Sequence, residues 1–209
     1  MPSTEVSELV FDKSAPFTER WKAMYELTLG KKASQRLARK LLLKVALDPT
    51  ETVSVRHLAL CAIAQIPSTQ VTHSLLPLLL DSNAPWELRA EAAHVLGMAS
   101  EQRPFALRAL MTAWKTSPPK VRVYIAYALA GRGGQQAIPL LRESINDYTP
   151  AHDLPWTLAQ ECRWAILCCR RASWCVEGPE DPVLLSPAWE WETQHFRAKG
   201  RRVWPRNSR

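Results

Sequence analysis

Six bases and no acid lie between residues 31 and 47. Four of them, Lys32, Arg36, Lys40 and Lys44, recur at every fourth position, with Lys31 and Arg39 beside them. On a helix this spacing sets the cations in a ridge along one face, and Leu37, Leu41 and Leu42 fall toward the other side. Such a ridge can neutralise several phosphates or seat an acidic protein surface. A merely solvated face is the plain alternative, although solvated faces ordinarily mix the two signs.

Cys162, Cys168, Cys169 and Cys175 form a second cluster. Cys162 and Cys169 are seven residues apart, as are Cys168 and Cys175, so each pair shares a helix face if the helix runs that far. The C-x-x-C spacing of zinc knuckles is missing, and cysteine fills cores well. Buried structural thiols are expected, with a metal site completed by His152 or His195 as the alternative. The chain past Arg171 differs in kind. Gly178-Pro179-Glu180-Asp181-Pro182 is loop chemistry, and six of the nine tryptophans follow residue 150. Trp189, Trp191 and Phe196 are expected to fold back as a cap. Trp189, Trp191 and Trp204 with Arg197, Arg201 and Arg202 would otherwise anchor a partner or stack on bases with cations near phosphates.

Motifs for catalysis are missing: there is no G-x-S-x-G, H-E-x-x-H or phosphate loop. Gly30-Lys31-Lys32 lacks the upstream glycine a phosphate loop needs, and Gly131-Arg132-Gly133-Gly134 reads as a turn between helices. His57 and His94 sit on repeat helices and can face a groove, but core or surface placement is expected rather than a catalytic dyad. No catalytic residue, cofactor or metal ligand is therefore assigned.

The elements that must carry these groups follow from composition and period. The 209 residues are 46% apolar, with 7 glycines and 16 prolines. That is enough for one cored domain, with frequent helix stops and too little glycine for a turn-rich β fold. No run reaches the ~18–20 apolar residues of a membrane span. Residues 1–16 show no basic-then-apolar leader pattern. A cytoplasmic protein is expected, and in such a chain an odd five cysteines argue against a disulfide framework. The net charge of +7 is mostly a tail effect: residues 195–209 hold six bases and no acid, and without them 21 bases face 20 acids. A high isoelectric point alone is thus no argument for nucleic acid.

Three segments repeat in register, beginning Val55-Arg56-His57, Leu88-Arg89-Ala90 and Val121-Arg122-Val123. Arg56, Arg89 and Arg122 are each 33 apart, as are Ala59, Ala92 and Ile125, and Ile63, Leu96 and Leu129. Apolar positions four apart with small residues between them make a helix face that a neighbour can approach closely. Pro85 and Pro118, also 33 apart, stand where helices should start, and Ser68, Ser100 and Ser117 are candidate caps. The pattern predicts about nine helices, over 17–29, 33–47, 53–65, 69–80, 85–98, 103–115, 119–131, 134–146 and 154–170. A 33-residue unit without strand signals is a helical hairpin, and stacked hairpins make an α-solenoid.

The Val/Leu-Arg-x-x-Ala-x-x-Ala/Val-Leu helix resembles the second helix of a HEAT repeat of the short bacterial type. Asp81-Ser82-Asn83-Ala84-Pro85 followed by Trp86-Glu87-Leu88-Arg89 is the best copy, and Leu75-Leu76-Pro77-Leu78-Leu79 resembles the first helix, as does Ala137-Ile138-Pro139-Leu140-Leu141. The resemblance covers residues 50–145 well and extends loosely to 17–49 and 154–170. Leu158 to Leu167 reads as a shifted copy without the arginine. The resemblance implies an all-α, right-handed α-solenoid of stacked antiparallel helical hairpins. It also implies a ladder between units in which a loop Asp meets the helix Arg. Asp48 and Asp81 precede Arg56 and Arg89 by eight residues; Trp114 takes that place before Arg122 and should interrupt it.

The expected organisation is a flexible arm over 1–16, the solenoid over 17–171 and an irregular basic, Trp-rich tail over 172–209. The expected role is a protein–protein adaptor or accessory subunit, without cofactor, whose partner is a protein with an acidic surface. Nucleic-acid binding through Lys32, Arg36, Lys40, Lys44 and the tail is the alternative. HEAT-like arrays also occur in DNA glycosylases and bilin lyases. Trp114, Tyr124 and Tyr127 would then line a groove, but no Asp-bearing glycosylase motif or bilin-site marker is seen.

Overall fold

Loop chemistry starts the helices. The Thr52 hydroxyl accepts from Val55 N, and the Ser68 hydroxyl from Val71 N, each satisfying a first-turn donor that has no partner within its helix. Pro85 and Pro118 stand just outside their helices and supply the first carbonyl acceptors, to Arg89 and Arg122. The computed structural model describes residues 4–98, 103–132, 134–151 and 156–171, and within these not the side chains of residues 32, 33, 103, 131, 132 and 171. Among the described residues there are ten helices: α1 (Thr4–Phe11), α2 (Phe17–Thr28), α3 (Lys32–Leu47), α4 (Val53–Ala64), α5 (Thr69–Leu80), α6 (Trp86–Met98), α7 (Arg103–Thr116), α8 (Pro119–Arg132), α9 (Gly134–Arg142) and α10 (Leu158–Arg171). An isolated bridge between Pro150 and Thr157 is the sole extended pairing among them.

The helices form five hairpins in two rows. The second helices α2, α4, α6, α8 and α10 pack one on the next, and the first helices flank them, with α3 on α5 and α5 on α7. This is the α-solenoid expected from the period. The registered apolar positions carry the core: Ala59, Ile63, Ala92, Leu96, Ile125 and Leu129 are all fully buried. Each such Leu or Ile contributes ~1.5–3 kcal/mol of transfer free energy. Where α6 meets α8, Gly97 is required by closeness: a Cβ there would lie 2.7 Å from the Ala128 Cβ and 2.8 Å from its Cα.

The hairpins are tied by arginine, though not as the expected ladder. Arg20, Arg56, Arg89, Arg122 and Arg163 each donate Nε–H to a carbonyl at or near the end of the preceding helix: those of Val10, Ala46, Leu79, Trp114 and Ile145, at 2.9–3.2 Å. A guanidinium there satisfies an orphan acceptor and meets the negative end of the helix dipole. The loop aspartates do something else. Asp12, Asp48, Asp81 and Asp147 each accept the backbone N–H two residues on, closing the turn between the two helices. Links to the next unit use other partners: Arg20 forks onto Glu51 at 2.7 and 3.2 Å, and Arg89 Nη2 donates to Ser117 Oγ at 2.9 Å.

Two expectations change. Thr4–Phe11, expected to be part of an arm, is a helix whose Val10 is fully buried and whose end Arg20 holds. The last copy does have its arginine. Arg163 is buried, donates to Ile145 O, and reaches Tyr148 OH at 3.0 Å; its spacing from Arg122 is wider than the repeat, which hides it from the period.

Candidate functional site

The cationic ridge is shorter than its spacing suggests. Arg36, Lys40 and Lys44 are exposed on α3. Lys32 is the first residue of that helix, but its side chain lies outside the described residues. Arg39 turns aside, its Nε donating to the Ile66 carbonyl at 2.9 Å. Lys40 and Lys44 border an open cavity of about 680 Å³ floored by Phe11, Leu41, Leu43 and Leu47. The Lys44 ammonium stands 5.0 Å from the Phe11 ring centroid. Asp48 at the rim is already engaged, by Lys13 at 3.6 Å and by the Thr50 hydroxyl at 2.7 Å. The floor depends on α1, which supplies Phe11.

A second constellation crosses the row of second helices. His57 and Cys61, one turn apart on α4, face Glu91 and His94 on α6. His57 Nε2 lies 3.8 Å from Cys61 Sγ and 3.7 Å from Glu91 Oε2. The other carboxylate oxygen, Oε1, is 3.0 Å from His94 Nδ1. Glu91 is buried while both imidazoles are partly exposed. Burial alone would push the Glu91 carboxyl up, but the His57 imidazole beside it and the hydrogen bond from His94 hold it down at about 2. Cys61 first and Glu91 second raise the His57 pKa to about 10, and Glu91 raises that of His94. The aromatic row continues from His94: its ring meets Tyr127 of α8 edge-on at 5.7 Å, and Tyr127 stacks on Trp164 of α10 at 5.7 Å.

The two histidines noted in the sequence are thus brought to one carboxylate. Cys61 and Glu91 were missed. The available signal was a His-x-x-x-Cys on one repeat helix and a Glu-x-x-His on the next, which the register of the repeat sets side by side. The later cysteines behave as core residues: Cys162, Cys168 and Cys169 are buried, Cys169 Sγ is 3.4 Å from the Leu129 carbonyl, and burial pushes the Cys162 thiol well up. Cys175, His152 and His195 lie outside the described residues, as do Trp189, Trp191, Arg197, Arg201, Arg202 and Trp204. Trp114 is fully buried under the Arg122 guanidinium and lines no groove, whereas Tyr127 is exposed. Among the described residues no helix is long and apolar enough to cross a membrane.

Residues 121–147, most of α8 with α9 and the turn after it, match the family model described as PBS lyase HEAT-like repeat. No curated protein matches the chain. Over these residues the helical hairpin read from the period of the sequence matches a HEAT-like repeat, and the described residues form a stack of helical hairpins.

Proposed function

We propose that the protein is a non-catalytic adaptor or accessory subunit that seats an acidic, amphipathic segment of a protein partner in the groove between α1, α3 and α5. The observation that supports this most is the pairing of Lys40 and Lys44 with an apolar floor of Phe11, Leu41, Leu43 and Leu47. An amphipathic helix laid in such a groove buries its apolar face on the floor and meets the lysines with its acids. A phosphate backbone would use the cations but gain nothing from the leucines. Arg36 extends the charged rim by one turn.

Nucleic-acid binding is the second reading, favoured by the exposure of Arg36, Lys40 and Lys44 along one helix, with the rim's Asp48 already engaged by Lys13. Lys32 and the tail residues Trp189, Trp191, Arg197, Arg201, Arg202 and Trp204 would join either surface. The enzyme readings, glycosylase-like or bilin-lyase-like, rest on the description of the repeat alone.

Capture of partners from the native host, with and without nuclease, separates the two. A defined protein retained after nuclease supports the adaptor. Its binding should fall at least ~10-fold with Lys40→Glu plus Lys44→Glu, and also with Leu47→Asp, because rim and floor act together. Capture lost on nuclease treatment overturns the adaptor. In that case affinity should fall with salt at a log–log slope of roughly −3, at ~0.9 per phosphate for three cations, and Leu47→Asp should matter little.

A further inference from the structure

We propose that His57 Nε2, Cys61 Sγ and the Glu91 carboxylate form a three-ligand site for a borderline divalent transition metal, Zn²⁺ above all, and that His94 positions Glu91. The site lies on α4 and α6, apart from the basic groove on α3.

Convergence carries the argument. The three ligand atoms all lie within 4.8 Å of one another. One nitrogen, His57 Nε2, faces both the thiol sulfur and the carboxylate oxygen, at 3.8 and 3.7 Å. A Cys–His–Glu catalytic relay would place the thiol on one ring nitrogen and the carboxylate on the other. Three such donor atoms gathered round one spot are instead what a cation needs, its binding displacing the imidazole and thiol protons. Bonds of ~2.0–2.3 Å to a tetrahedral Zn²⁺ imply ligand–ligand edges of roughly 3.3–3.7 Å, so the cluster closes on a metal with small shifts of its side chains. The mixed nitrogen, sulfur and oxygen set selects Zn²⁺, Co²⁺ or Ni²⁺ over Mg²⁺ or Ca²⁺, which take oxygen ligands.

The surroundings agree with that reading. Glu91 is buried, and its carboxylate has no Lys or Arg in an ion pair among the described residues; its charge is met by two imidazoles. His94 Nδ1 holds Oε1 at 3.0 Å and so leaves Oε2 turned to His57, the supporting contact that orients a ligating carboxylate. His57 is partly exposed and also lines an open cavity of about 540 Å³ with Phe17, Val53, Leu58 and Glu87, so the cluster is open to solvent on its His57 side. Three protein ligands leave one position for water or for a donor from a partner.

The test uses the full chain, reduced and stripped of metal, titrated with Co²⁺ and then competed with Zn²⁺. One equivalent of Co²⁺ should produce thiolate-to-cobalt charge transfer and tetrahedral d–d absorption, both removed by Zn²⁺. Cys61→Ser should abolish the charge-transfer band and Cys175→Ser should keep it. His94→Asn should weaken Zn²⁺ binding ~10–100-fold while leaving one site. Cys61 and His57 are partly exposed, so Cys61→Ser and His57→Gln should keep the wild-type circular dichroism. His57→Gln serves as the second ligand variant and should also lose tight binding. A wild-type protein without the charge-transfer band overturns the proposal. A band that survives Cys61→Ser, or that disappears with Cys175→Ser, does so as well.

Discussion

Arg89→Met tests the account of how the repeats are tied. Arg89 is 3% exposed at the middle of the stack, and its Nε donates to Leu79 O while Nη2 donates to Ser117 Oγ. Met keeps most of the aliphatic stem, so the packing of that stem largely survives. Removing the guanidinium leaves two acceptors without their donor, at ~1–3 kcal/mol each when buried. Relief from burying a cation offsets part of this. A net loss of about 3 kcal/mol is expected, or roughly 6–12 °C in Tm for a chain of this size. Arg56 supplies the internal comparison: it is half-buried and makes one such bond, to Ala46 O at 2.9 Å. Arg56→Met should therefore cost about half as much, ~1–1.5 kcal/mol. Urea unfolding followed by circular dichroism measures both, and Ser117→Ala in a double-mutant cycle isolates the inter-unit bond. The reasoning is refuted if Arg89→Met lies within ~0.5 kcal/mol of wild type, or if Arg56→Met proves the more damaging.

Gly97→Val should destabilise by at least ~1–3 kcal/mol, because its Cβ meets the Ala128 Cα, which cannot yield without moving α8; Ala128→Gly should restore part of the lost Tm. Hydrogen bonds from Ser14 and Thr50 hold the Asp12 and Asp48 carboxyls below their usual range. Their contribution is therefore present above the unfolded value of ~3.9 and is lost as pH falls through the lower folded values. Asp12→Asn with Asp48→Asn should flatten the acid limb of a thermal-stability profile below about pH 4, and an unchanged limb would remove these turns from the acid response.

Solenoid architecture was legible because its cause is local and repeated. Arg56, Arg89 and Arg122 recur at one fixed spacing with their small and apolar neighbours, and that same recurrence stacks α4, α6 and α8. What escaped was whatever broke the period. Helix α1 spans two turns, too short for Val6, Leu9 and Val10 to declare a face, and it is held by Arg20 from outside. A longer connection after α9 sets Arg163 further from Arg122 than one repeat, so its equivalence shows only in the bond to Ile145 O. The arginine ladder misled for a different reason. Spacing shows that Asp and Arg are near each other, but not that the aspartate is spent on closing its own turn.

The His57–Cys61–Glu91 cluster required one more step than any motif search takes. Neither His-x-x-x-Cys nor Glu-x-x-His identifies a site alone, since each is an ordinary one-turn spacing. Register supplies the missing link: Cys61, His94 and Tyr127 stand one repeat apart, so one position of the unit recurs along α4, α6 and α8, and His94 meets Tyr127 directly. The contacts run across the row of second helices, from the α4 pair to Glu91, along α6 to His94, then to Tyr127 and Trp164. A solenoid thereby turns residues a full repeat apart into neighbours. In a repeat protein the useful search for chemistry runs across neighbouring helices of the aligned repeats, where the two ligands of α4 and the one of α6 become a set.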